Sequence, residues 1–147
     1  MLTQEISAAH QDYLKTIYLL LSRGQEASNS AIAQALGVAP ASATNMVKRL
    51  AEAGLIEHVP YRGVQLTAAG QQVALEMVRH HRLIELFLHD VLEMPWDQVH
   101  VEAERLEHAI SEEVEEAIAR KLGYPTFDPH GDPIPDRHGR LAAAGAG

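Results

Sequence analysis

Glycine and proline divide the first 70 residues into short segments, and this division constrains the fold more than any other feature of the sequence. Apolar residues at three- and four-residue spacing predict a helix over residues 7–23. A short helix over 31–36 ends at Gly37, and a third over 40–53 begins with a proline and ends before Gly54. The second and third helices and the turn between them form a helix-turn-helix.

Two short segments with alternating apolar and polar side chains follow the third helix. They cover residues 55–59 and 64–66, and the turn between them reads PYRG. This pattern predicts a strand, a turn and a second strand. A helix, a helix-turn-helix and then a β-hairpin is the order of elements in a winged helix.

The next part of the chain is predicted to be helical. A helix capped by Thr67 extends to about residue 92, a second begins at Pro95 and reaches about residue 110, and a third is capped by Ser111 and ends near residue 123. Acidic residues early in this last helix and basic residues late in it suit the helix dipole.

The predicted fold class is therefore mainly α. A winged helix-turn-helix domain of three helices plus a hairpin wing covers residues 1–70, and a helical domain covers 71–123. Pro, Gly and Asp dominate residues 124–147, which we expect to be an irregular tail with a mobile AAAGAG end.

Charge is distributed unevenly along the chain. The 12 Lys and Arg against 20 Asp and Glu give a net charge of −8, yet residues 1–70 hold five basic and five acidic residues, so the excess lies in 71–147. Net charge therefore does not exclude nucleic-acid binding by the first half.

The absence of cysteine excludes disulfides, thiolate metal sites and cysteine nucleophiles. The start lacks a signal sequence and no apolar run reaches the roughly 20 residues of a membrane span, so we expect a cytoplasmic protein without a membrane partner.

The third helix carries the side chains expected to bind DNA. In a winged helix this second helix of the helix-turn-helix enters the major groove of double-stranded DNA. The base-reading candidates are Ala41, Ser42, Thr44 and Asn45, and the phosphate-binding candidates are Lys48, Arg49 and, at the tip of the hairpin, Arg62. Five basic residues give a weak electrostatic footprint, which predicts a dimer on two half-sites. The alternative is a helix-turn-helix that contacts another protein.

Carboxylates and histidines recur at helical spacing in the acidic half. His100, Glu104, Glu107 and His108 stand at i, i+4, i+7 and i+8, on one predicted stripe, and His81 and Glu85 are four apart on the preceding helix. Alternating imidazoles and carboxylates offer a mixed nitrogen and oxygen shell for a divalent metal. The alternative is a solvated acidic face with incidental histidines.

Two other groups are interpreted as structural. The acidic run Glu112, Glu113, Glu115 and Glu116 is predicted to be a solvated face, because no histidine accompanies it. The remaining histidines are interpreted as surface or packing residues: His10, His58, His80, His89, His130 and His138.

Six segments together resemble one family. They are DYLKTIY, IAQALGVAPASATNMVKRLAEAGLI, YRGVQLTAAG, HHRLIELFL, VHVEAERLEH with SEEVE, and GDPIP, and they cover roughly residues 10–136 in order. The chain resembles the diphtheria toxin repressor family of metal-dependent transcriptional regulators, and more closely its manganese transport regulator branch. The resemblance implies operator DNA and a second copy of the chain as partners.

The resemblance also implies two metal sites. The residues that match a primary site are Asp12, Glu104, Glu107 and His108, and those that match an ancillary site are His81, Glu85 and His100. Asp12 stands where iron-type members have Met, and Glu104 where they have Cys, so the oxygen-rich shell suits Mn²⁺ better than a sulfur-containing shell would, with Fe²⁺ as the alternative.

Three departures from the family pattern change what is expected. Lys15 replaces a bridging carboxylate of a manganese-type member, so two separated sites are expected rather than a binuclear one. Residues 28–30, Ser-Asn-Ser, replace arginines of the iron-type repressor. An SH3-like third domain of many relatives is not expected in the tail, so water or another side chain is expected to complete the ancillary shell.

The resulting hypothesis is a homodimeric repressor of metal-uptake genes that Mn²⁺ activates. One ion held by Asp12, Glu104, Glu107 and His108 would fix the two recognition helices of a dimer about 34 Å apart, the spacing of successive major grooves. The apolar residues Leu83, Leu86, Phe87, Val91 and Trp96 serve either the dimer contact or the core of one chain. The alternative function is a winged-helix regulator of a small organic effector. A di-metal carboxylate enzyme is disfavoured, because the Glu-x-x-His pairs it needs are absent.

Overall fold

The computed structural model describes residues 6–142, and within them the protein is mainly helical. It divides into two compact units, one up to Leu75 and one from Glu76 onward. Six α-helices, one π-helical turn and one two-stranded antiparallel sheet make up the described part. The predicted fold class is confirmed. The predicted domain limits at residues 70 and 123 stay predictions.

Three helices and a hairpin form the first unit. The helices are α1 (Ala8–Ser22), α2 (Asn29–Leu36) and α3 (Pro40–Glu52), and the strands are β1 (Ile56–Val59) and β2 (Gly63–Leu66). The strands pair with Ile56 opposite Leu66 and Val59 opposite Gly63. Each helix contributes apolar side chains at three- and four-residue spacing to one core, whose most deeply buried members include Leu14, Ile17, Ile32, Val47, Leu50 and Val64.

Local sequence signals set the ends of these helices. The Ser7 hydroxyl accepts a hydrogen bond from the His10 amide at the start of α1, and the Ser28 hydroxyl accepts one from the Ala31 amide at the start of α2. Gly37 ends α2 with a φ of +67°, a conformation that glycine adopts without steric cost. Because Ser28 is its N-cap, helix α2 begins two residues earlier than predicted.

The fourth helix begins against the end of the third. Thr67 precedes α4 (Ala68–Leu86), and its hydroxyl donates to the Gly54 carbonyl at 2.7 Å and accepts from the Gly70 amide at 3.2 Å. Gly70 packs so closely on Leu55 that an added Cβ would lie 1.9 Å from the Leu55 carbonyl oxygen. Only glycine fits this approach.

Helix α4 continues into the second unit and ends differently from the prediction. The α-helical pattern stops at Leu86, and Phe87–Val91 forms a π-helical turn in which the Leu92 amide donates to the Phe87 carbonyl. A helix to residue 92 was predicted from apolar spacing. That spacing does not distinguish an α-helix from one with a wider last turn.

The other two helices of this unit are α5 (Trp96–Leu106) and α6 (Glu112–Lys121). The prediction that α5 reaches residue 110 is wrong, because the chain turns over residues 107–109. Ser111 has extended backbone angles and its hydroxyl accepts from the Val114 amide, so α6 begins at once. The chain therefore turns between α5 and α6 over the few residues after Leu106.

Two apolar clusters form the core of the second unit. Leu83 and Leu86 pack with Ile118, Ala119 and Ile134 in one cluster, and a second consists of Ile84, Leu88, Val99 and Ala103. Among the residues considered for a dimer contact, Leu83 and Leu86 thus belong to the core of this unit. Val91 and Trp96 are exposed, and the Trp96 ring stacks on His89 with 3.9 Å between ring centroids.

The described part of the tail forms no helix but is packed. The Ile134 side chain is buried, and its amide donates to the Thr126 carbonyl at 2.8 Å. Arg79 and Arg82 on α4 donate to the carbonyls of Pro135 and Pro133. Most of the AAAGAG end lies outside the described residues. None of the helices described is both long and apolar enough to cross a membrane.

Candidate metal centre and nucleic-acid surface

The predicted DNA-binding side chains lie on the outer face of α3. Ala43, Val47 and Leu50 turn into the core of the first unit. The intervening residues, Ala41, Ser42, Thr44, Asn45, Lys48 and Arg49, are all exposed. The Thr44 hydroxyl accepts a hydrogen bond from the Asn29 amide group at 3.4 Å. This face presents hydroxyls, an amide and two cations to the surroundings.

The tip of the β-hairpin exposes the side chains of Arg62 and Tyr61, of which only Arg62 was among the predicted DNA-binding residues. Arg62 is exposed as expected, and its amide donates to the Val59 carbonyl to close the turn. Tyr61 is fully exposed and has a φ of +67°, an unfavourable conformation for a residue with a side chain. The PYRG turn is the signal that marks Tyr61 in the sequence.

His81, Glu85 and His100 bring their donor atoms together in the second unit. Glu85 Oε2 lies 3.2 Å from His81 Nε2 and 3.2 Å from His100 Nδ1, and the three donor atoms lie within 4.8 Å of one another. His81 and Glu85 come from α4, one turn apart, and His100 comes from α5. Burial alone would raise the pKa of Glu85, but hydrogen bonds and charge from His81 and His100 lower it below its usual value.

These three residues fit a divalent cation by the chemistry of their donors. His81 Nδ1 faces Glu107 Oε1 at 2.6 Å while its Nε2 faces Glu85, so both ring nitrogens face carboxylates. A neutral imidazole has one N–H and can donate to only one of them. A cation at Nε2 would leave the Nδ1–H for Glu107, the arrangement in which a carboxylate orients a metal-binding histidine.

Glu107 is the most buried charged group of the described part of the chain. Glu107 is 1 % exposed, and one of its carboxylate oxygens lies within 4.8 Å of a ring nitrogen of His108. Glu107 is the C-cap residue of α5, with its amide still bonded to the Ala103 carbonyl, and His108 lies in the turn that follows.

Glu104 lies on α5 in this unit. Its side chain is 55 % exposed, and its Oε1 lies 2.7 Å from His100 Nε2. Glu104 thus pairs with a predicted ancillary ligand. Asp12 lies on α1 in the first unit. The roles of Asp12 and Glu104 as ligands stay predictions.

The prediction of a solvated acidic face is wrong for Glu115. This residue is 8 % exposed, its Oε1 lies 2.6 Å from Arg79 Nε, and its Oε2 contacts His80 Nε2. A histidine does accompany the run, but it comes from α4. Burial alone would raise the pKa of Glu115, whereas His80 and Arg79 lower it. Glu112 and Glu113 are exposed, as predicted.

Both parts of the chain match one family. Residues 5–64 match the family model for the iron dependent repressor N-terminal DNA binding domain, and residues 67–136 match that for the iron dependent repressor metal binding and dimerisation domain. The chain belongs to the diphtheria toxin repressor family. The resemblance inferred from the sequence segments is confirmed.

Individual relatives agree with this assignment. The chain is 39 % identical over 123 residues to the iron-dependent repressor IdeR of Mycobacterium tuberculosis, a match that covers 84 % of this chain and 54 % of the relative. It is 35 % identical to the diphtheria toxin repressor of Corynebacterium diphtheriae with the same coverage. A manganese-dependent transcriptional repressor solved in complex with manganese is 43 % identical, with a TM-score of 0.82, over 91 % of this chain and 62 % of that one.

The chain spans about half the length of the curated relatives it matches. These relatives are named as repressors, not as enzymes, which agrees with the prediction that the chain is not an enzyme. The alternative of a regulator that senses a small organic effector is not favoured.

Proposed function

We propose that the chain is a cytoplasmic, homodimeric repressor that binds operator DNA when a divalent metal is bound. The observation that carries the proposal is the convergence of His81, Glu85 and His100 in the part of the chain that matches a metal binding and dimerisation domain. The exposed face of α3, in the part that matches a DNA binding domain, supports the second half of the proposal.

The metal proposed as activator is Mn²⁺, with Fe²⁺ as the alternative. In the sites proposed here the donors are carboxylate oxygens and imidazole nitrogens, and the chain contains no cysteine. Such a shell suits Mn²⁺ better than a shell with sulfur would. Among similar structures, one is named as manganese-dependent and contains manganese.

The ligand set proposed for activation extends over both units. His81, Glu85 and His100 would hold one ion, and Asp12, Glu104, Glu107 and His108 would hold a second. The contribution of Asp12 and Glu104 rests on their match to the family pattern. A bound cation supplies the positive charge that clustered carboxylates otherwise lack.

Binding of the cation would be coupled to the affinity for DNA through the positions of α1 and α3. Without a bound cation, the carboxylates of the predicted primary site would repel one another, and Asp12 on α1 would be released from the other ligands. With a cation bound, α1 would be held, and α3 of each protomer would take the separation that two half-sites require. Metal can favour DNA binding only as far as it prefers this arrangement of residues.

Substitution of the turn after α5 tests the proposal. We expect Glu107→Gln and His108→Ala to abolish the stimulation of DNA binding by Mn²⁺, because each removes one proposed ligand. Binding is measured by gel shift on a duplex selected from a random-sequence library by the Mn²⁺-loaded wild-type protein. Glu113→Ala, an exposed acidic residue on α6, is the matched control and should retain the stimulation.

Three results would contradict the proposal. They are failure of the wild-type protein to select any duplex, binding that is indifferent to metal, and full stimulation in the Glu107→Gln variant. Repeating the gel shift with Mn²⁺, Fe²⁺ and Zn²⁺ ranks the activating metals. A higher affinity for DNA with Fe²⁺ than with Mn²⁺ would overturn the choice of manganese.

A further inference from the structure

We propose that His80 is a positioning residue that fixes the turn carrying Glu107 and His108. The inference rests on the proposed function, since it concerns residues assigned there to metal binding. His80 lies on α4 next to His81 and is 6 % exposed. No spacing or motif in the sequence distinguishes it from the other histidines.

The two ring nitrogens of His80 contact two different parts of the second unit. Nδ1 lies 2.9 Å from the Glu107 main-chain carbonyl oxygen, which can only accept, so Nδ1 carries a hydrogen and donates it. Nε2 contacts Glu115 Oε2 on α6. Because both nitrogens are engaged, the ring links α6 to the end of α5 and is not available as a metal ligand.

The carbonyl that His80 contacts needs a donor from outside its helix. Glu107 is the C-cap residue of α5, and carbonyl groups at the C-terminal end of a helix lack intrahelical donors. Leaving such a group buried without a partner is costly. The imidazole of His80 supplies the donor.

Two consecutive histidines therefore hold one glutamate. His80 holds the main chain of Glu107 and His81 holds its carboxylate, at 2.9 and 2.6 Å. Since residues 80 and 81 are adjacent on α4, the main chain and the side chain of Glu107 are fixed to the same helical turn. His108 follows directly in the chain, so its backbone is fixed as well.

Charged side chains also lie around the Nε2 side of the His80 ring. Glu76 Oε1 lies 4.0 Å from Nε2, and Arg79 pairs with the other oxygen of Glu115. These charges keep the ring in place between the two helices.

Two variants of His80 separate its two contacts. The side-chain amide nitrogen of asparagine takes the place of Nδ1, and that of glutamine takes the place of Nε2. His80→Asn therefore keeps the donor to the Glu107 carbonyl, and His80→Gln loses it. We expect His80→Gln to weaken Mn²⁺ binding about 10- to 100-fold, as loss of a group that orients a ligand does, and His80→Asn to stay within about threefold of wild type.

Mn²⁺ affinity is measured from the electron paramagnetic resonance signal of free Mn²⁺, and the thermal midpoint of each metal-free variant is measured beside it. His89→Asn and His89→Gln are the matched controls on a more exposed histidine of the same unit and should bind Mn²⁺ as wild type does. Equal losses of affinity in the two His80 variants, following their losses of stability, would mean that His80 only stabilises the fold. Wild-type protein that takes up neither Mn²⁺ nor Fe²⁺ would instead reject the proposed function.

A second measurement needs no substitution. In the ¹⁵N spectrum of the imidazole groups of metal-free wild-type protein, we expect His80 Nδ1 to carry a proton that exchanges slowly with water. An unprotonated Nδ1 would overturn the inference whatever the variants show, because the donor to the Glu107 carbonyl would be absent.

Discussion

Single residues determine how the fourth helix joins the rest of the first unit. Thr67 links the start of α4 to the end of α3, and Gly70 allows its backbone to approach the Leu55 carbonyl. The neighbour at Gly70 is main chain rather than a side chain, so rotamer changes cannot relieve a clash. The position thus tolerates no side chain without a shift of the backbone.

We expect Gly70→Ala to lower the free energy of unfolding of the metal-free protein by about 1–3 kcal/mol or more, the usual cost of inserting an atom into a packed site. Urea unfolding followed by circular dichroism measures the change. Gln71→Ala, at the neighbouring exposed position, should stay within about 0.5 kcal/mol of wild type. An unchanged midpoint for Gly70→Ala would show that Leu55 and α4 separate easily.

Helices α4 and α6 and the tail are joined by one buried cation. Arg79 donates from Nε to Glu115 and from a terminal nitrogen to the Pro135 carbonyl at 2.9 Å. A buried ion pair adds little over an apolar contact, but removing one partner leaves the other charge buried without compensation. The pair therefore matters most when it is broken.

Accordingly, Glu115→Ala should destabilise the protein by about 3–5 kcal/mol, because Arg79 then keeps only a carbonyl partner in a buried site. Glu113→Ala removes an exposed charge two positions away and should change the stability by less than about 0.5 kcal/mol. The comparison uses urea unfolding of both metal-free variants. Similar stability of the two would mean that water reaches Arg79 and replaces the carboxylate.

Elements set by local signals were predictable, and those set by distant contacts were not. Ser7, Gly37 and Ser111 mark helix ends in the sequence, because a cap requires a hydroxyl or a glycine at the cap position itself. The burial of Glu115 depends on Arg79, 36 residues away, and a run of glutamates looks the same whether or not another helix covers one of them.

The candidate site shows the same division. The i, i+4 pair His81 and Glu85 followed from helical spacing, and so did the pair His100 and Glu104. The position of Glu107 beside His81 did not, because it is a contact between the end of α5 and a different helix, α4. His80 was missed as well, since its contacts are with a main-chain carbonyl and with the distant Glu115.

At the scale of the whole molecule, the two halves differ in charge. Five basic and five acidic residues balance in the first 70 residues, and the excess of acid lies in the rest. Under the proposed function, a neutral first half would gain little affinity for DNA from phosphate contacts alone. The proposed control of DNA binding by metal would then depend on coupling between two binding events in one chain.

Such coupling is reciprocal. If saturating Mn²⁺ raises the affinity for the selected duplex by a given factor, about 5- to 150-fold in typical cases, the duplex must raise the affinity for Mn²⁺ by the same factor. Gel shift gives the first factor and electron paramagnetic resonance of free Mn²⁺ gives the second. Unequal factors would show that DNA and metal do not act on one equilibrium, and the Glu107→Gln variant should give a factor near one in both measurements.

The stacking of Trp96 on His89 makes the second unit optically distinct. Trp96 is the only tryptophan of the chain, and three of the four tyrosines, Tyr13, Tyr18 and Tyr61, belong to the first unit. The fluorescence emission of Trp96 therefore reports on the second unit alone. Because the His89 imidazole stacks on the indole ring, this emission is sensitive to the immediate surroundings of the ring. Fluorescence excited at the indole can thus follow the unfolding of one unit without a label.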